Sequence, residues 1–221
     1  MVIQDKALHI LNGEAMYHYY QETGFLNQER MVPFNEAMCY GGTCEDLFSQ
    51  EFIDMRAEVH HVTADQYREH VLKPLQPFFD KEFSHLELWF DADMFCQINL
   101  VTILAWLDQA DYKEAIDIHI VGEKFKPLSL YTVKAEGYYS IYKQVLIDQT
   151  MPEAILPASI KKGIEFYLSY LNKDSDLMLY IKEHEDVPEK ELVIALINKF
   201  TDYGLGDTQY FEIVRNQRQP K

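Results

Sequence analysis

The chain has 221 residues, 48% of them apolar and 25% charged, with a formal net charge of -16. That is enough apolar material for a sizeable core, and acidic enough to repel nucleic-acid phosphates, since the basic runs at Lys161-Lys162 and residues 215–221 are short. No stretch reaches the roughly 18 to 20 apolar residues of a membrane span, residues 1–6 carry no apolar signal segment, and three cysteines without matched partners fit a reduced, cytoplasmic protein better than a disulfide scaffold or zinc site.

Residues 7–11 form a short apolar segment ending in Asn12-Gly13, and Met16, Tyr19 and Tyr20 follow at helical spacing. This reads as strand, tight turn and helix, closed by Gly24 in a left-handed cap. Residues 31–34 give a second strand, placed near a sheet edge because Pro33 lacks a ladder donor. Residues 35–43 read as a loop with Gly41-Gly42. From Cys44 the pattern turns helical through Leu47, Phe48, Phe52 and Met55, and Thr63 caps a further helix carrying Tyr67, Val71 and Leu75.

Residues 86–107 organise the chain. An apolar strand, 86–90, runs into a turn with two carboxylates, Asp91 and Asp93, and then into a helix from about Met94 to Asp108 that is apolar almost all round. Residues 116–121 alternate Ile116, Ile118 and Ile120 against Asp117 and His119, a strand with one wetter face. Residues 124–134 contain Pro127 and little helical periodicity, and read as a connection. Everything beyond is helical: 138–147, 158–171, a piece around 177–181, 189–200 with Asp186 as cap and Pro188 in the first turn, and a final helix from Asp207.

Long helical crossovers between strands imply parallel pairing with right-handed connections. The expected fold is therefore α/β, a small, parallel, doubly wound sheet of about four strands, flavodoxin-like or Rossmann-like. It spans residues 1–125, with an all-helical region, 126–221, packed on it.

In such a sheet, ligands bind beyond the carboxyl ends of the strands, where strand order reverses. A flavodoxin-like order 2-1-3-4 places that reversal between the first and third strands, so the turns at Asn12-Gly13-Glu14 and Asp91-Ala92-Asp93 meet there beside Asn35-Glu36. The ligand-binding candidates are Asn12, Gly13, Glu14, Glu36, Asp91, Asp93 and Gln97. Asp93 is also placed to be the N-cap of the following helix, and Asp91 and Asp93 together are a candidate pair for magnesium. Gln97 lies four residues on, on the same helical face; Asn99 is rotated away and reads as a buried polar residue bonded to a neighbouring element. The histidines are scattered, His60-His61 included, and no nucleophile elbow or phosphate-binding glycine-lysine loop occurs.

His9-Ile10-Leu11-Asn12-Gly13-Glu14, Asn35-Glu36-Ala37-Met38-Cys39-Tyr40-Gly41, Arg56-Ala57-Glu58, and the segment from Leu88-Trp89-Phe90 through Asp93, Phe95, Gln97 and Asn99-Leu100 resemble the ordered motifs of an uncharacterised bacterial family, domain of unknown function 1835. The likeness covers roughly the first 125 residues; Gly206-Asp207-Thr208-Gln209-Tyr210-Phe211 is similar to a helix start in its longer members. Asp93 fits the family pattern at its own position and Asp91 only as an acidic residue. The resemblance implies a shared fold and a shared crevice, with no known activity attached. The functional expectations are a binding or regulatory module for a small polar ligand, such as a nucleotide or phosphometabolite; alternatively a magnesium-dependent enzyme acting on a phosphate ester or nucleotide sugar; and thirdly a protein-interaction module.

Overall fold

A computed structural model describes residues 7–218; the readings made at residues 1–6 and 219–221 lie outside it. Among the described residues one mixed sheet of five strands has the order β2-β1-β3-β4-β5. β1 (Ala7–Leu11), β2 (Arg30–Pro33), β3 (His85–Asp91) and β4 (Ile116–Val121) pair in parallel. Strand order reverses between β1 and β3, as expected from the sequence. Pro33 lies in the edge strand, at register with Leu11.

Residues 124–134 are not a mere connection. Pro127–Val133 forms β5, antiparallel to β4 at the far edge. Its periodicity is silent because both faces are open, with Leu128 and Leu130 more than half exposed. Pro127 occupies the first strand position, where a missing donor costs little.

α1 (Glu14–Thr23) crosses back from β1 to β2 on one face, where Leu11, Met16, Tyr20, Trp89 and Val121 form a small core. Every later crossover runs rightward along the sheet, so right-handedness places α2 (Gln50–Val59), α3 (Ala64–Tyr67), α4 (Gln76–Phe79) and α5 (Met94–Gln109) on the other face. α3 continues as a π-helical turn, Arg68–Leu72, and starts with a capping box between Thr63 and Gln66.

The C-terminal helices α6 (Tyr138–Tyr142), α7 (Ala158–Leu171), α8 (Asp176–Glu183), α9 (Glu189–Lys199) and α10 (Asp207–Arg218) add a layer beyond α5. This is why α5 is apolar all round: Ile98, Leu100, Val101, Ile103 and Leu104 are fully buried between sheet and helices. Among the described residues no helix is long and apolar enough to cross a membrane.

Two helix starts differ from expectation. The helix expected from Cys44 begins at Gln50, where Ser49 accepts from Phe52 N at 3.2 Å, because Phe48 is left-handed (φ 59°) and breaks the run. Asp186 does not cap α9. Pro188 holds the N-cap position with no side-chain cap, and Glu189 and Glu191 in the first turn complement the helix dipole instead.

α7 approaches α5 closely at Gly163, where an added Cβ would lie 2.4 Å from Cβ of Gln97. Alanine is ordinarily the better helix former by about 1 kcal/mol. Here overpacking reverses the sign, and Gly163→Ala is expected to destabilise the fold by about 1–3 kcal/mol in urea denaturation.

Candidate functional site

Asn12 and Gly13 follow β1, Asn35 and Glu36 follow β2, and the turns they form meet each other and helix α5, whereas the expected third member, the Asp91-Ala92-Asp93 turn, stands apart from them. The residue that joins them is Asn99. Its amide nitrogen donates to the Glu36 carbonyl at 2.6 Å and to Asn12 Oδ1 at 3.0 Å, while its oxygen accepts from Met38 N at 2.9 Å. Asn12 Nδ2 reaches Cys96 Sγ at 2.9 Å. Asn99 is fully buried and bonded to neighbouring elements, as its position on α5 implied.

Glu36 is the centre of a buried network that the sequence reading missed. Its Oε1 accepts from its neighbour Ala37 N at 2.8 Å, from Arg56 Nη2 at 2.7 Å and from His60 Nε2 at 2.6 Å; Oε2 accepts from the Tyr67 hydroxyl. The side chains of Glu36 and Arg56 are wholly buried, whereas His60 is 30% exposed. Burial pushes the Glu36 pKa up, but the hydrogen bond from His60 and the charge and hydrogen bond of Arg56 outweigh it and hold the carboxyl at about 2. Burial, then the adjacent Glu36 charge, pushes the Tyr67 phenol well up, so it stays a donor. The available signal was spacing: Arg56 and His60 stand four apart on one helical face.

Two adjoining cavities open here. One of about 230 Å³ is lined by Asn12, Gly13, Phe34, Asn35, Glu36, Ala37, His60 and Phe95. The other, of about 510 Å³, shares Asn35 and His60 and adds Glu14, Gln66, Tyr67 and His70. Gly13, left-handed at φ 87°, is the N-cap of α1 and supplies no side-chain cap, so the first amides of that helix have no partner within it. Asn35 Nδ2 donates to Glu14 Oε1 at 3.3 Å and to the His70 carbonyl at 3.2 Å.

Of the seven predicted residues, Asn12, Gly13 and Glu36 line the smaller cavity and Glu14 the larger. Asp91, Asp93 and Gln97 line neither. Asp91 is the last residue of β3 and its Oδ1 accepts from Ala92 N at 2.6 Å. Asp93 is the N-cap of α5, accepting from Cys96 N at 2.8 Å. Gly204 closes over it so tightly that a Cβ there would lie 2.3 Å from its carboxyl carbon. Gln97 is fully buried beneath Gly163, with Nε2 on the Asp91 carbonyl at 2.6 Å. Among the described residues no group of three His, Cys, Asp or Glu side chains gathers to hold a metal ion.

Burial pushes the Asp93 carboxyl up to about 6; the amide it caps offsets this in part and the charge of Asp91 adds to it. Comparison with protein-family models, curated proteins and solved structures finds no match.

Two pH dependences of opposite sign follow. The Glu36 carboxyl lies below its ordinary 4.5 in the folded chain, so its contribution is present above that value and is lost as pH falls towards 2. Glu36→Gln should destabilise by about 3–5 kcal/mol at pH 7 by stranding Arg56, with the gap to wild type narrowing in chemical denaturation below pH 4. Asp93 lies above its ordinary 3.8, so its contribution is complete below that value and is lost as pH rises through about 6. Asp93→Asn keeps the cap and should stabilise by about 1–3 kcal/mol at pH 8, an advantage that vanishes near pH 4.

Proposed function

We propose that the chain is a binding or regulatory module for a small phosphorylated ligand, a nucleotide or other phosphometabolite, held in the crevice beside β1. The observation that carries this reading is the cavity at the uncapped amino end of α1, next to the switch point between β1 and β3. Helix amides and dipole favour an anion there, and Gly13 lets it approach the backbone closely. His60 supplies a polar contact, and Phe34 and Phe95 supply apolar walls, the usual composition of a small-molecule site.

The magnesium-dependent enzyme is the weaker reading, because Asp91 and Asp93 lie outside the crevice and already accept backbone amides. The free cysteines Cys39, Cys44 and Cys96 support a reducing, cytoplasmic setting, and the acidic balance disfavours nucleic acid as partner. Membership of the family whose motifs the chain resembles belongs to the same proposal: Asn12, Glu36, Arg56 and Asn99, from four of those motifs, are bonded together here.

Thermal-shift screening against nucleotides and sugar phosphates, each with and without magnesium, tests the reading. Ligand at a hundred times Kd is worth about 2.7 kcal/mol, a rise in Tm of roughly 5–10 °C. The rise should be indifferent to magnesium and retained in Asp93→Ala. A rise that requires magnesium and disappears in Asp93→Ala would transfer support to the enzyme, and no rise with any of these compounds would overturn the phosphate reading.

A further inference from the structure

The Glu36 carboxylate dictates where the proton sits on His60. An ionised carboxylate only accepts, and this one takes Ala37 N, Arg56 Nη2, His60 Nε2 and the Tyr67 hydroxyl. At 2.6 Å from Oε1, Nε2 must therefore carry hydrogen. In the neutral ring, Nδ1 is then a bare lone pair. Among the described residues it has no partner, and the ring lines both cavities with 30% of its surface exposed.

The side-chain amide donors that line the smaller cavity are already committed. The Asn12 amide is spent on Cys96 and Asn99, and Asn35 Nδ2 on Glu14 and the His70 carbonyl. The charged and titratable groups facing His60 are Glu36 from its loop, Arg56 from its own helix, Tyr67 from α3, and Glu14 and His70 across the larger cavity. Arg56 already matches the Glu36 charge, and Phe34 and Phe95 make the nearer walls apolar. A ligand ammonium would lose hydration against those walls, and Glu14, the carboxylate with no cationic partner among the described residues, faces the larger cavity and not this one. An uncharged hydroxyl satisfies the lone pair at the least desolvation cost.

We propose that the ligand is a hydroxyl-bearing phosphate ester of the sugar-phosphate class, one hydroxyl of which donates to Nδ1 of His60 while the phosphate lies at the amino end of α1. This rests on the phosphate-binding reading of the crevice. His60 thereby selects the hydroxyl-bearing part of the ligand, and Glu36 acts as the positioning residue that fixes the ring and its tautomer.

The wiring is tested first without any ligand, by long-range ¹H–¹⁵N NMR of wild-type protein with the ring neutral. Hydrogen on Nε2 is expected, and hydrogen on Nδ1 would overturn the proposal. Binding is then measured calorimetrically without added metal, using ribose 5-phosphate and methyl phosphate as probes, for wild type and His60→Phe. With the ring neutral, wild type should hold ribose 5-phosphate at least about tenfold more tightly, as expected for one hydrogen bond of about 1.4 kcal/mol. His60→Phe should erase that advantage, and an advantage that survives in this variant would refute the role of His60. Equal affinities in wild type would refute the role of His60 while leaving the phosphate reading standing. Binding of neither probe removes the phosphate reading, and this proposal with it.

Discussion

An ionised carboxylate with no access to water is the constraint on which the rest of the site depends. Desolvation alone would leave Glu36 protonated. Four donors, one of them the Arg56 guanidinium, keep it charged, and they come from three pieces of chain: Ala37 in the loop after β2, Arg56 and His60 on and just beyond α2, Tyr67 on α3. Arg56 does more than balance charge. It also donates to the carbonyls of Ala37, Tyr40 and Gly42, so the loop between β2 and α2 is tied to the same ion pair. Buried ion pairs seldom contribute net stability over apolar packing, but they are costly to break. Their effect here is on uniqueness of geometry, and the geometry so fixed presents the free edge of one imidazole to a cavity.

Asn99 carries this order to the sheet. Its amide joins the turns after β1 and β2 to the buried helix after β3, the three places that the strand order brings together. A polar side chain in the middle of an apolar helix is stable only if its donors and acceptor are all met. Those partners lie on two different loops, which is why α5 can sit in only one rotational setting against them. Packing of α5 and shape of the crevice are thus parts of one requirement.

Much of this was legible in the sequence, for reasons that can be named. Strands β1 and β4, helix α7 and the Asp93 cap match their expected residues because apolar periodicity and capping chemistry are local. Parallel pairing followed from crossover lengths, whereas the order of the strands came from likeness to a flavodoxin-like sheet, which the structure matches for β1 to β4. β5 was not legible, since an edge strand exposed on both faces carries no alternation. The network around Glu36 was illegible for a different reason: the side chains that bond its carboxylate stand 20 to 31 residues away, in elements whose relative position no periodicity encodes. Asp91 and Asp93 stood out because they are adjacent and acidic, which is a property of sequence and not of the cavity.

The C-terminal layer explains why the two carboxylates part company with the crevice. The turn at Gly204 rests directly on Asp93, and Gly163 of α7 rests on Gln97, so the β3 side of the switch point is filled by the chain itself. The raised pKa of Asp93 records that coverage: a cap exposed to water would have no reason to hold its proton. On the β1 side nothing among the described residues lies within 4 Å of where a Cβ on Gly13 would stand, and His60 and Asn35 border open cavity. A switch point has two flanks. In this chain the helical region occupies one and leaves the other, with its uncapped helix end and its fixed imidazole, as the place where a ligand has room.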